Sequence, residues 1–380
     1  MNRTLGSSVA LRILTLSLVA AGSAAAPAPM AALAEAPAAA ARTCSTSDRV
    51  TLQLKWIAQA QFAGYYAASA KGYYRDECLD VTIRHPGESI VPEQVEAGGS
   101  AQFALDWLPS LLSFRDQGTP LTTIAQVFQY SGMREISLKE SNIRGPADLK
   151  GKRVAVWLRG NEHELFATLA KHNLDPRKDV EIVSQPFDMN LLLQKQVVAA
   201  AAMTYNELAQ VLEAKNPVTG KRYQLEDLNI IDFNKEGTAM LEDGIFVRED
   251  WIKAAVNQDI AVRFLRASFK GWMYCRDHQD DCVSFVLTQR PTLGKGHQTW
   301  QMNEINKLIW PSPDGIGIMD ERLWKQTADV ALKYGVIKKP AERAAFTNEF
   351  ARKAHQGLEG LDTRGLNWKA GIVQVTEGGR

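Results

Sequence analysis

The chain has 380 residues, with 44 Lys and Arg against 43 Asp and Glu and a net charge of +1. Binding to a phosphate backbone needs clustered basic residues, and none occur here, so no nucleic-acid partner is expected. Setting aside an N-terminal leader leaves roughly 335 residues, room for two ordinary domains.

The leader comes first in chain order. Arg3 and Arg12 flank a short, positively charged start, and Ile13 to Ala21 is an apolar or small stretch. Ala24-Ala25-Ala26 and Ala32-Leu33-Ala34 follow, both small-x-small patterns of the kind a signal peptidase reads. Pro27 is a poor first residue after the earlier pattern, so the expected cut follows Ala34. Residues 1–34 then form a signal peptide and 35–48 a flexible mature N-terminus. The apolar core is shorter than the roughly 20 residues of a membrane-spanning helix. Cys44 follows Ala41-Arg42-Thr43 rather than a Leu-x-small-Cys pattern, so no lipid anchor is expected. No later stretch is long and apolar enough to cross a bilayer. The expectation is a soluble, exported chain.

The mature part then alternates strands and helices. Val50 to Trp56 has a period of two, Phe62 to Tyr73 has helical spacing, and Leu79 to Arg84 is again strand-like. A short helix over Pro92 to Ala97 and a buried strand over Ala101 to Leu105 follow. Pro109 to Gln117 reads as a helix stopped at Gly118, and Thr122 to Gln129 as the next strand. A second run repeats the alternation. Its strands are Arg153 to Trp157, Val180 to Ser184, Val197 to Thr204 and Leu228 to Phe233. Its helices are Glu162 to Lys171, Met189 to Lys195 and Tyr205 to Lys215. From Asp250 the pattern turns helical, over Ala261 to Tyr274, Cys282 to Leu287, Gln298 to Ile309, Asp320 to Tyr334 and Ala341 to Lys353. Such alternation predicts the α/β class, with mostly parallel sheets in two tandem lobes. Lobe 1 is expected over 49–133 and 240–375, and lobe 2 over 134–239.

Four cysteines, Cys44, Cys78, Cys275 and Cys282, allow three pairings in an oxidising compartment. Cys275 with Cys282 closes a short polar loop, which leaves Cys44 with Cys78. A metal site from Cys275, His278 and Cys282 lacks an evident fourth ligand. The histidines show no metal spacing, and neither a G-x-S-x-G nor an H-E-x-x-H motif occurs.

Ligands of open α/β sheets sit beyond the carboxyl ends of strands, which directs attention to the residues after Trp56, Leu105, Trp157 and Thr204. Those places carry Leu54-Lys55-Trp56, Gln59-x-Gln61-Phe62-Ala63-Gly64-Tyr65-Tyr66 and, further on, Lys71-Gly72-Tyr73-Tyr74. They also carry Asp106-Trp107-Leu108-Pro109, Asp148-Leu149-Lys150-Gly151-Lys152-Arg153-Val154 and Met203-Thr204-Tyr205-Asn206-Glu207. In order and spacing these segments resemble the NMT1/THI5-like (SsuA/THI5) family, over about Val50 to Val247. The resemblance implies a type II periplasmic binding protein fold, with a hinge near Gly132 and Gly237 to Gly244 and an interlobe ligand cleft. It also implies a periplasmic, monomeric solute-binding component that serves an ABC permease and ATPase. The family's other branch makes the thiamine pyrimidine from pyridoxal phosphate and histidine, with iron. This sequence departs from that branch: Asp106 falls near the required lysine, Ser110 near the required histidine, and Met240 to Phe246 holds no cysteine. No catalytic residue, cofactor or metal is therefore expected.

The candidate ligand contacts are Trp56, Tyr65, Tyr66, Trp107 and Tyr205 as flat faces for a planar ligand. Gln59, Gln61, Asn161 and Asn206 offer amides to ring nitrogens, and Asp106, Glu162 and Glu207 accept from amino groups. Tyr65 and Tyr66 are neighbours on a helix and cannot both face a cleft. Asp106 is equally suited to capping the helix that follows, and Glu162 to a first-turn charge. Three carboxylates give the expected cleft a negative balance, which favours a neutral or cationic heteroaromatic over a sulfonate. A hydroxymethyl- or formylaminopyrimidine precursor of thiamine is the expected ligand; the alternatives are riboflavin, a sulfonate or an alkyl compound as cargo, or a thiamine pyrimidine synthase.

Overall fold

Ten strands make two five-stranded sheets in the computed structural model, which describes residues 44–86, 90–158 and 160–380. The expected signal peptide, and residues 35–43 of the expected flexible segment, lie outside the described residues. The first sheet holds β1 (Asp48–Gln53), β2 (Leu79–Arg84), β3 (Phe103–Trp107) and β4 (Leu121–Gln126). The chain then builds the second sheet from β5 (Met133–Leu138), β6 (Arg153–Val156), β7 (Glu181–Ser184), β8 (Ala199–Met203) and β9 (Leu228–Asp232). It returns to the first sheet as β10 (Asp243–Arg248).

The spatial orders are β2-β1-β3-β10-β4 and β7-β6-β8-β5-β9. In each, the first three strands run parallel, and the strand entered from the other sheet lies antiparallel between two partners. The expected α/β class holds, but the sheets are mixed rather than mostly parallel. The sequence reading passed over β5 and β10. Both carry charge inside the sheet, at Glu135 and Asp243, which breaks the apolar signature of a central strand.

Two connections join the sheets, residues 127–132 outward and 233–242 back. Glu242 Oε1, on the return connection, accepts from the backbone amides of Gly132 at 2.7 Å and Met133 at 3.0 Å. Glu164 Oε1, at the start of the His163–Lys171 helix, accepts from Met240 N at 2.5 Å, and the Ser131 hydroxyl donates to its other oxygen. Burial, followed by Asp243, pushes the Glu242 carboxyl up to about 8.

The cores follow from small residues at close approaches and large ones between them. β8 is Ala-Ala-Ala-Ala-Met and fully buried, so segments can cover both of its faces. The 23-residue helix Ala255–Asp277 lies against Ala63–Ala70 at paired glycines, where a Cβ on Gly271 would come within 2.0 Å of Gly64 O. Phe103 stacks on Phe264 of that helix at 3.9 Å, each ring contributing about 2 kcal/mol by burial. The expected helix over Ala341 to Lys353 is found only over Glu349–His355, with Asn348 at its N-cap and Thr347 Oγ1 accepting from Glu349 N just ahead of it. Disulfides join Cys44 to Cys78 and Cys275 to Cys282, so these thiols are not metal ligands. Among the described residues no helix is long and apolar enough to cross a membrane.

Candidate functional site

The carboxyl ends of β1, β3, β6 and β8 bring their following loops to one place between the sheets. From the first sheet come Lys55, Trp56, Gln59, Gln61 and Trp107. From the second come Trp157, Asn161, Met203, Tyr205, Asn206 and Glu207. These residues surround an inner chamber of about 20 Å³, room for about one water. A neighbouring outer chamber of about 490 Å³ shares Lys55, Trp56 and Trp157 with it and is walled further by Phe187, Ile57 and Leu158.

The inner floor is a set of ordered polar groups. Gln59 Nε2 donates to Gln61 Oε1 at 2.8 Å, and Gln61 Nε2 donates to Asp243 Oδ2 at 2.8 Å. Trp107 Nε1 donates to the other oxygen of Asp243 at 3.0 Å. Burial raises the Asp243 carboxyl to about 6, opposed by the nearby Lys55 charge. Glu207 Oε2 accepts from Met203 N at 3.0 Å, and its Oε1 accepts from Asn206 Nδ2 at 2.5 Å. Burial pushes the Glu207 carboxyl up to about 7, against those same hydrogen bonds. A group with a midpoint so close to neutrality can both donate and accept under ordinary conditions.

Aromatic faces make the walls. Trp56 meets Phe187 edge-on at 4.6 Å and Trp157 at 6.2 Å. Trp157 is held in turn by its Nε1, which donates to Pro186 O at 3.1 Å. Lys55 spans the gap, with Nζ 2.7 Å from Asp106 Oδ1, 3.4 Å from Asn161 Oδ1 and 4.0 Å above the Trp107 ring.

Eight of the twelve candidate contacts line the inner chamber: Trp56, Gln59, Gln61, Trp107, Asn161, Tyr205, Asn206 and Glu207. Four do not. Tyr65 is buried edge-on to Trp272 at 5.6 Å beneath the Ala255–Asp277 helix, and Tyr66 faces His85 Nδ1 at 3.4 Å. Helical geometry excluded one of this pair from the cleft; packing removes both. Asp106 lies off the chamber lining and caps no helix; its Oδ1 is held by Lys55 and accepts from Trp107 N. Glu162 accepts from Gly160 N at 2.7 Å and thereby closes its own loop. Lys55 neutralises Asp106 while Asp243 adds a carboxyl, so the expected negative balance rests on Asp243 and Glu207 at the chamber and Glu162 off its lining.

Sequence reasoning missed Lys55, Trp157, Met203, Asp243 and Phe187. Trp157 ends a strand already selected by the loop rule, so that rule could have found it. Asp243 gave no such signal, because its strand went unread.

The family described as NMT1/THI5 like matches residues 59–282. The chain belongs to this family. Among its relatives, the riboflavin-binding protein RibY of Chloroflexus aurantiacus is 27% identical over 90% of this chain and 97% of its own. The formylaminopyrimidine-binding protein of Halalkalibacterium halodurans is 22% identical over 64% of this chain and 71% of its own. The alkanesulfonate-binding protein SsuA of Xanthomonas axonopodis, solved with MOPS, superimposes with a TM-score of 0.57 at 14% identity. That match covers 80% of this chain and 99% of SsuA, and it shows the fold alone. The family member described here thus has the type II periplasmic binding protein fold, two α/β lobes with the chambers between them.

Proposed function

We propose that this chain is the periplasmic solute-binding component of an ABC importer, capturing a flat, nitrogen-bearing heteroaromatic between its lobes and delivering it, as a monomer, to a permease and ATPase. Two disulfides support the exported location, since such bonds persist in oxidising compartments. The carrying observation is Glu207, buried at the start of the Glu207–Glu213 helix that follows β8, with a midpoint of about 7 and aromatic walls beside it, in an inner chamber that must widen to admit a ring. In its neutral form it donates to a ring nitrogen and accepts from an adjacent amino group, the two-point edge of an aminopyrimidine. A protonated pyrimidine pairs with the carboxylate in the same geometry. The favoured cargo is therefore a hydroxymethyl- or formylaminopyrimidine precursor of thiamine.

Riboflavin is the second reading. The outer chamber of about 490 Å³ accepts more than one ring, and a relative aligned over 90% of the chain is named for riboflavin. The synthase reading is weaker. A Schiff base needs a free lysine amine, whereas Lys55 is held against Asp106 at 2.7 Å.

Calorimetry and thermal shift with aminopyrimidines, riboflavin and alkanesulfonates test the proposal. An aminopyrimidine should bind and should lose affinity as pH rises above 7, where ligand and Glu207 together have lost the shared proton. Silence from every pyrimidine, with a response to riboflavin, would transfer the assignment to the second reading.

A further inference from the structure

From Asn206, on the chamber wall beside Glu207, a line of polar side chains leads away from the chamber. Asn206 Nδ2 donates to Glu207 Oε1, so Asn206 Oδ1 faces the other way, where His297 Nε2 lies at 2.8 Å. With the amide in this orientation its oxygen accepts from Nε2–H. The other ring nitrogen, Nδ1, lies 2.7 Å from Glu213 Oε1, with both side chains nearly buried. A bare Nδ1 against a carboxylate is repulsive, so a proton lies between these two atoms as well.

His297 is itself well anchored. It sits in the first turn of the Lys295–Ile309 helix, which touches both walls of the site. Gln298 and Gln301 of that helix each accept from Ala60 N at 2.8 Å, between Gln59 and Gln61 of the floor. Trp300 Nε1 donates to Thr204 O at 3.1 Å, just beyond β8. The imidazole is therefore fixed relative to the strand end that carries Asn206 and Glu207.

We propose that His297, backed by Glu213, is a positioning residue that locks the Asn206 amide and so fixes which face of the Glu207 carboxyl is left for the ligand. With Glu207 ionised and Nε2 protonated, a turned amide would bring its oxygen against the carboxylate and its NH2 against the Nε2–H of His297, two repulsive contacts. With the amide locked, Asn206 Nδ2 and Met203 N engage the carboxyl from the protein side. A proton on Glu207 is then directed toward the chamber. The titratable groups around Glu207 are Tyr205 beside it and the His297–Glu213 pair behind Asn206.

This inference rests on the reading that Glu207 meets the ligand, so its test begins with the ligand-free protein. Nitrogen NMR of His297 should show Nε2 protonated at pH 7, and a bare Nε2 overturns the proposal without any variant. Carbon NMR then follows the Glu207 carboxyl. In His297→Phe its midpoint should rise by one unit or more, because a donor to the carboxylate is released and the His297 charge that holds it down is lost. In Glu213→Gln it should move by less than half a unit, since a glutamine amide can donate to Nδ1 and keep Nε2–H on Asn206. The pH at which aminopyrimidine affinity falls should shift upward with the carboxyl in His297→Phe. An unchanged Glu207 midpoint in a His297→Phe protein of wild-type circular dichroism refutes the positioning role. A shifted midpoint with no aminopyrimidine bound by the wild type leaves the role standing and removes the ligand assignment instead.

Discussion

Glu207→Gln separates the linkage of this carboxyl to folding from every other contribution. The Glu207 carboxyl is raised from its ordinary 4.5 to about 7, with burial as the first cause, and that difference corresponds to about 3 kcal/mol. The sign follows from proton binding. Between these two values the folded state holds the proton and the unfolded state has lost it. The contribution to stability is fully present below pH 4.5 and is lost as pH rises through about 7. Glutamine cannot ionise, so the variant lacks this decline. It carries a cost of its own, because Met203 N and Asn206 Nδ2 both donate to Glu207 and one of them would face an amide NH2. That cost, about 1–3 kcal/mol, is the same at every pH and appears as an offset. Urea unfolding of both proteins at a series of pH values gives the difference curve. It should change by about 3 kcal/mol between pH 4.5 and 8. Parallel curves would show that Glu207 ionises in the folded protein as it does in solution, and the neutral-acid reading of the site would fall with them.

Other changes probe the remaining parts of the site. Lys55→Met leaves Asp106 buried without its partner and should destabilise by about 3–5 kcal/mol; adding Asp106→Asn should recover most of the loss in urea unfolding. Tyr65→Phe should leave ligand affinity unchanged, since that ring packs on Trp272 away from the chambers, and a tenfold loss in calorimetry would show that the chamber reaches further. Replacing Cys44 and Cys78 by Ser opens a 34-residue separation, worth about 4 kcal/mol on a chain-entropy basis. The separation of 7 between Cys275 and Cys282 is worth about 2 kcal/mol on the same basis, so denaturant midpoints should rank the two double variants in that order.

What could be read in advance depended on how local the cause was. β2 alternates Leu-Asp-Val-Thr-Ile-Arg, and the Pro92–Ala97 helix opens on proline; both lie where their own residues place them. β5 and β10 do not announce themselves, because Glu135 and the Asp243-Gly244 pair interrupt the apolar run of strands that are central only through their neighbours on either side. The site divides the same way. Strand-end aromatics and amides were legible from one rule about open sheets. The neutralisation of Asp106 was not, because it depends on a lysine from a neighbouring strand's loop. His297 lies 91 residues from Asn206, and no spacing in the sequence links them.

The carboxylate bridge between the two connecting segments has a mechanical consequence. Two independent tethers would let the lobes shear as well as turn. Glu242 rides on one tether and grips the amides of Gly132 and Met133 at the end of the other, so neither can swing alone. The pair behaves as a single pin, and a single pin permits rotation but little slip.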